Sequence, residues 1–184
     1  MHDLFGERHD PGGKSKSRIL PGVVGDAVFA GDRQQYRPLL RRWKGDAFPR
    51  EFVLFCGMNP SVATAEFNDP TIAAEWRFTE RWRYSAMAKV NVADYRLTDP
   101  KMLATIEEPL WSDLNVPTIL EMANKAALIV MVHGNLPKPL RAVGDLVTSE
   151  LRRIGVPLHC FQRNADGSPK HSLYVKGGQI LSPY

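Results

Sequence analysis

Four short apolar runs, each breaking into polar residues at its end, set the tightest limit on what this chain can fold into. They are Phe52–Cys56, Met87–Val92, Ala127–Val132 and Leu158–Phe161. Each is too short for an ordinary helix. The first shows no polar alternation, so it reads as a strand buried on both faces. Segments of helical character separate the runs. Asp69-Pro70-Thr71 opens one, with Asp69 as N-cap and Pro70 at the first helical position, and it extends to about Trp82. Asp99-Pro100 opens a shorter one in the same manner. A third covers Asn115 or Pro117 to Asn124, and Leu140–Ile154 is amphipathic and stops at Gly155. Upstream, Ala27–Phe29 reads as a short strand and Tyr36–Trp43 as a strand or turn-rich segment, while Ser172–Val175 reads as extended. Strands alternating with helices predict an α/β three-layer sandwich around a mostly parallel, four-stranded central sheet.

The 184 residues are enough for one sizeable core. Residues 1–20 are expected to form a flexible tail, and 21–184 a single domain. The polar start is not that of a signal peptide, and no run approaches the roughly 18 apolar residues of a membrane span. Cys56 and Cys160 lie inside apolar runs and read as buried thiols, so a reducing cytoplasm is the expected setting. A net charge of +4 permits a polyanionic partner without requiring one. Arg33, Arg37, Arg41, Arg42, Lys44 and Arg50 form one basic cluster, and Arg77, Arg81 and Arg83 another. Both read either as solvated faces or, interleaved with Tyr36, Trp43, Trp76 and Trp82, as a phosphate-facing surface.

Ligands of open α/β sheets gather beyond the carboxyl ends of the strands. The residues there are Gly57, Met58, Asn59, Pro60 and Ser61 after the first run, and Asn91, Asp94, Tyr95 and Arg96 around the end of the second. His133, Gly134 and Asn135 follow the third, and Asn164, Asp166, Gly167 and His171 the fourth. One such set would carry no weight. Four in register predict a shared pocket, although each has an ordinary structural reading. Asn59-Pro60 suits a plain turn, Asn91 a structural hydrogen bond, His133 a sheet edge and His171 an exposed loop. Neither a Walker loop nor a dinucleotide fingerprint nor a nucleophile elbow occurs, and no third ligand joins the histidines at metal spacing. No cofactor and no metal are expected.

Two resemblances go further. Leu54-Phe-Cys-Gly-Met-Asn-Pro60 resembles the first motif of the uracil-DNA glycosylase superfamily, in the Gly-x-Asn-Pro form of the mismatch-specific uracil/thymine enzymes. Lys89-Val-Asn-Val-Ala-Asp-Tyr-Arg-Leu-Thr98 resembles that superfamily's strand ending in a base-reading asparagine. Leu128–Asn135 resembles its strand ending in a Gly step, and Lys170–Tyr174 its final His-Pro-Ser-x-Leu loop. Ser61 stands where those enzymes carry Gly, and Ser172 follows His171 where they carry Pro. Residues 25–184 also resemble the domain-of-unknown-function 1643 family, whose pattern includes Gly-x-Asn-Pro-Ser, Asp-Pro-Thr, Thr-Asp-Pro and a closing Gly-x-Pro-x-His-Pro-Leu-Tyr, where this chain has Ser172 in place of the last Pro.

The first resemblance implies a hydrolase that cleaves the N-glycosidic bond of a modified or damaged base. Asn59 would orient the attacking water, Asn91 would read one base edge, and His171 or His133 would donate to the leaving base. Gly57, Met58, Pro60, Ser61, Asp69, Thr71, Asp94, Tyr95, Arg96, Gly134 and Asn135 would surround the substrate. Tyr95, Phe67 or Trp76 would stack on the base, and Arg77, Arg81 and Lys170 would contact phosphates. The implied partner is nucleic acid, DNA foremost, or a nucleotide-like small molecule, with no membrane and a monomer expected. An enzyme of the same fold acting on a free nucleoside, nucleotide or other small molecule, and a non-catalytic nucleic-acid or nucleotide-binding module, are the alternatives.

Overall fold

A computed structural model describes residues 8–13 and 15–184. In chain order its strands are β1 (Ser17–Arg18), β2 (Val23–Ala30), β3 (Tyr36–Lys44), β4 (Val53–Gly57) and β5 (Phe67–Asn68). Helix α1 (Pro70–Arg81), β6 (Ala86–Asn91), a 3-10 helix (Pro100–Thr105), α2 (Asn115–Lys125) and β7 (Leu128–Met131) follow. The chain continues through α3 (Lys138–Arg153), β8 (Leu158–Cys160), a 3-10 turn (Ser172–Tyr174) and β9 (Ser182–Pro183). The last turn replaces the extended segment expected there.

Strands β6, β4, β7 and β8 are the four apolar runs, and they lie parallel to one another. The sheet does not stop with them. Antiparallel β2 and β3 extend it beyond β6, and antiparallel β9 pairs with β8, giving seven strands in the order β2-β3-β6-β4-β7-β8-β9. The sheet is therefore mixed rather than four-stranded. The helices take opposite faces. Ile72, Trp76 and Phe78 of α1 pack on Val53, Phe55, Met87 and Val130. Ile119 and Met122 of α2, with Leu140, Val147 and Leu151 of α3, pack on Leu54, Cys56, Ala88 and Met131. From β4 the chain runs through α1 to one neighbour, β6, then through α2 to the other, β7. That reversal places a crevice at the carboxyl end of β4.

Helix α1 starts where local chemistry dictates. The Asp69 side chain accepts from the Ile72 amide at 2.9 Å, and Pro70 has no N–H to leave unpaired. Gly155, at φ +76°, follows the last turn of α3.

The basic residues before β4 do not form one cluster: Arg33, Lys44 and Arg50 are exposed and Arg41 is half-buried. Arg37 and Arg42 are buried in β3. Arg42, fully inaccessible, donates to Asn68 Oδ1 at 2.8 Å, Thr64 O at 2.5 Å and Phe67 O at 2.9 Å, tying β3 to the loop before α1. Arg33, Arg41 and Lys44 pair with Glu108, Asp26 and Glu80. Pro38 sits where the β2–β3 register shifts and before β3 begins pairing with β6, so the ladder does not need its missing N–H.

The described part of the expected flexible tail is held down. His9 donates its amide to Arg33 O at 2.8 Å, Thr98 donates to Pro11 O at 2.8 Å, and β1 pairs with β5. Backbone pairing supplies what composition could not reveal. Residues 1–7 and 14 lie outside the described residues.

Replacing Arg42 with Met removes the donor of the buried Asn68 Oδ1 and of the part-buried Thr64 O, while Phe67 O keeps the Thr64 amide. The Arg42→Met protein is expected to lose about 3 kcal/mol or more of unfolding free energy in urea titrations; an unchanged midpoint would refute the tie.

Candidate functional site

A cavity of about 510 Å³ opens at the carboxyl ends of the parallel strands, beside the start of α1. Met58, Asn59 and Ser61 reach it from the loop after β4, Asn91 from the end of β6, and Asp69 and Thr71 from the start of α1. His133, Gly134 and Asn135 come from the segment after β7, and Asn164, Lys170 and His171 from the segment after β8. The four polar strand ends thus meet in one place.

The loops after β4 and β6 are stitched together by Val92 N to Gly57 O at 2.9 Å, Ala93 N to Met58 O at 2.9 Å and Leu97 N to Pro60 O at 2.8 Å. Pro60 is buried and contributes that carbonyl rather than a wall of the cavity. The Asn59 amide nitrogen donates to Leu97 O at 2.6 Å and Pro60 O at 3.1 Å. Both donors are spent on bracing the loop, which leaves the side-chain carbonyl as the free end. Asn59 is both a turn residue and a cavity residue.

Asn91 is 1 % exposed, and neither its amide nitrogen nor its oxygen has a hydrogen-bond partner among the described residues. An amide in that state costs about 1–3 kcal/mol for each unmet group. Gly57 lies beneath it: a β-carbon there would stand 2.7 Å from Asn91 Oδ1 and 2.6 Å from Lys89 Nζ.

The two histidines differ in tautomer. His171 Nδ1 accepts from the Leu173 amide at 3.2 Å, so its proton sits on Nε2. His133 Nδ1 lies 2.7 Å from Gly134 O, which can only accept, so its proton sits on Nδ1 and its Nε2 is a lone pair. Burial, then the Lys89 charge, push His171 down to about 4. Burial also lowers His133. Both rings are therefore neutral at pH 7, one offering a donor and the other an acceptor.

Several expected residues lie elsewhere. Asp94 is buried and accepts from Ser112 N at 2.8 Å and Ser112 Oγ at 2.5 Å, anchoring the approach to α2. Tyr95 packs edge-on against His9 and Tyr36. Arg96 donates to Gln34 O at 2.9 Å and lies over Phe29. They follow Asn91 in sequence, but the chain leaves the cavity after β6 and returns to it only at Leu97 and Thr98. Trp76 is a core residue of α1, and Phe67 lies under Lys16 and Arg18, so neither stacks in the cavity. Of the expected phosphate contacts only Lys170 lines it. Arg77 and Arg81 are exposed along α1, the latter about 16 Å from its start.

Arg37, Lys89, Leu97, Thr98 and Tyr174 also line the cavity and were not anticipated. Lys89 Nζ donates to Glu75 Oε1 at 2.6 Å, and Ser172 Oγ donates to the same oxygen at 2.8 Å. A signal existed for both members of the pair. Lys89 interrupts an apolar strand, and Glu75 falls on the apolar stripe of α1 beside Ile72 and Trp76.

Among the described residues, no three His, Cys, Asp or Glu side chains converge to hold a metal ion, and no helix is long and apolar enough to cross a membrane. Cys56 and Cys160 are buried free thiols, and burial pushes Cys56 up to about 12.

Fold and cavity together define an α/β protein with a half-open cavity, lined by polar and apolar side chains, at the switch point of a mixed sheet. The chain belongs to the family described as protein of unknown function (DUF1643), whose model matches residues 37–173. No curated protein and no solved structure matches it.

The Asn91 amide is a buried polar group without a partner among the described residues. Asn91→Leu is expected to raise the unfolding free energy of the ligand-free protein by about 1 kcal/mol or more, and a loss would mean the amide is structural. Because His171 binds its proton less tightly folded than unfolded, stability falls as pH drops from 6.5 through about 4. An NMR titration is expected to show the His171 ring neutral at pH 5.5, and His171→Gln to flatten that part of the stability profile.

Proposed function

We propose that the chain is an N-glycosidase of uracil-DNA glycosylase type, hydrolysing the bond between a sugar and a modified or damaged base in nucleic acid. The observation that carries this reading is the Asn91 side chain, buried against the cavity with a donor and an acceptor both free. Side by side, those two groups complement the N–H and C=O of a lactam, the edge that an oxo-substituted nucleobase presents. A base still in a duplex would have to be flipped out to reach it.

The other groups fit the same chemistry. Water bound to the free carbonyl of Asn59 attacks C1′ of the sugar as the C1′–N bond breaks. The bonding pair leaves with the base, the attacking water releases a proton to solvent, and the departing base takes one up. An amide only orients that water and cannot abstract its proton efficiently, so turnover is slow. The Nε2–H of neutral His171 donates to the base as its charge grows, a contribution worth about a hundredfold to a thousandfold in rate for comparable donors. His133, with Nε2 as an acceptor, is suited to the substrate N–H or hydroxyl groups. The tautomers thus favour His171 over His133 as the donor.

A second reading, cleavage of a free nucleoside or nucleotide, is favoured by one observation. The basic residues expected to follow a polymer backbone, Arg77 and Arg81, do not line the cavity.

Oligonucleotides carrying uracil, mismatched thymine, hypoxanthine or hypermodified pyrimidines, single- and double-stranded, separate these readings when assayed beside the free nucleosides. Abasic sites are expected with the wild type, reduced about a hundredfold or more in a folded Asn59→Ala protein whose binding is retained. Release from nucleosides alone would select the second reading. Silence throughout would reject both.

A further inference from the structure

Lys89 forms part of the cavity wall yet has no part in the reaction above. It projects from the middle of β6 on the same face as Asn91, two residues on. It is 4 % exposed and makes one hydrogen bond among the described residues, to Glu75 Oε1 at 2.6 Å. An ammonium group carries three N–H donors. Two therefore remain for whatever fills the cavity.

Gly57 shows how closely the ammonium approaches the amide. A β-carbon on that residue would meet Lys89 Nζ at 2.6 Å and Asn91 Oδ1 at 2.7 Å, so both groups crowd one point over the end of β4. Glu75 holds the ammonium there, and Ser172, which donates to the same carboxylate oxygen, helps to fix Glu75. A lysine needed only to neutralise Glu75 could do so away from the cavity. This one stands beside an amide whose two ends are free.

We propose that Lys89 is a substrate-binding cation that holds a second ring carbonyl, next to the lactam edge taken by Asn91. The site then selects bases in which a ring N–H lies between two carbonyls, over those with one carbonyl or none. This rests on the base-binding reading of the cavity. When the C1′–N bond breaks and the electron pair moves onto the base, part of the charge falls on such a carbonyl. A fixed cation that is itself buried stabilises it without reorganising. Glu75 keeps that cation from being buried alone.

Calorimetric titration with two free bases tests the assignment: uracil, and pyrimidin-4-one, the same ring without the second carbonyl. The wild type is compared with Glu75→Gln/Lys89→Gln, which removes both charges together so that neither is stranded, and with Lys89→Met as a second variant, each checked for folding by circular dichroism. The wild type is expected to prefer uracil about tenfold or more, and the preference to vanish in the folded variants. Equal weakening of both ligands in the variants, no preference in the wild type, or no binding of either base would overturn the role of Lys89. A wild type that shows the preference but releases no base from any oligonucleotide or nucleoside would instead remove the glycosidase reading and leave Lys89 as a ligand-reading cation.

Discussion

The ion pair between Glu75 and Lys89 is the constraint on which the α1 side of the molecule depends. One carboxylate oxygen joins the middle of α1, the middle of β6 and the closing 3-10 turn. Taking two charges out of water costs several kcal/mol per ion, and a well-packed apolar pair in their place would hold helix to sheet at least as firmly. Adhesion alone therefore does not explain the pair. It brings a positive charge to the floor of a cavity and, through Ser172, fixes the turn that begins at His171. Position and electrostatics come from the same contact.

Around that contact the sheet serves as a ruler. Residues at the carboxyl ends of β4 and β6 are in register, Gly57 opposite Asn91, so a missing side chain on one strand makes room for functional groups on the next. The opposite face, under α2 and α3, is built almost wholly from apolar side chains. The protein thus separates its tasks by face: one side supplies most of the apolar core and the other carries buried polar groups beside the cavity.

How much of this was legible in the sequence follows from how local each determinant is. The parallel strands were legible because each apolar run is short and bracketed by polar residues, and the start of α1 because Asp69 and Pro70 act within one turn. β3 was only half legible. Arg37 and Arg42 stand where apolar residues would have declared a buried strand, and the groups that satisfy Arg42 lie more than twenty residues further on. The pairing of β1 with β5, and of β9 with β8, is likewise invisible to composition. At the cavity, residues directly following a strand were found, since direction alone carries them there. Asp94, Tyr95 and Arg96 were misassigned because proximity to Asn91 along the chain says nothing of the turn that follows. Lys89 was passed over although the same reasoning that singled out Asn91, a polar group inside an apolar run, applied to it equally.

The hydrogen bond from Ser172 to Glu75 spans 97 residues, and the cavity wall draws on the chain from Arg37 to Tyr174. During synthesis, β2, β3 and β4 can leave the ribosome and begin to pair long before the turn that completes the pocket exists. Closing a loop of that length comes late on entropic grounds. Until it closes, Glu75 has only Lys89 to meet it, and the floor of the cavity is open to water. The cavity is in this sense completed with nearly the last fold of the chain, after most of the sheet has formed, so its walls exist only once the whole molecule has assembled.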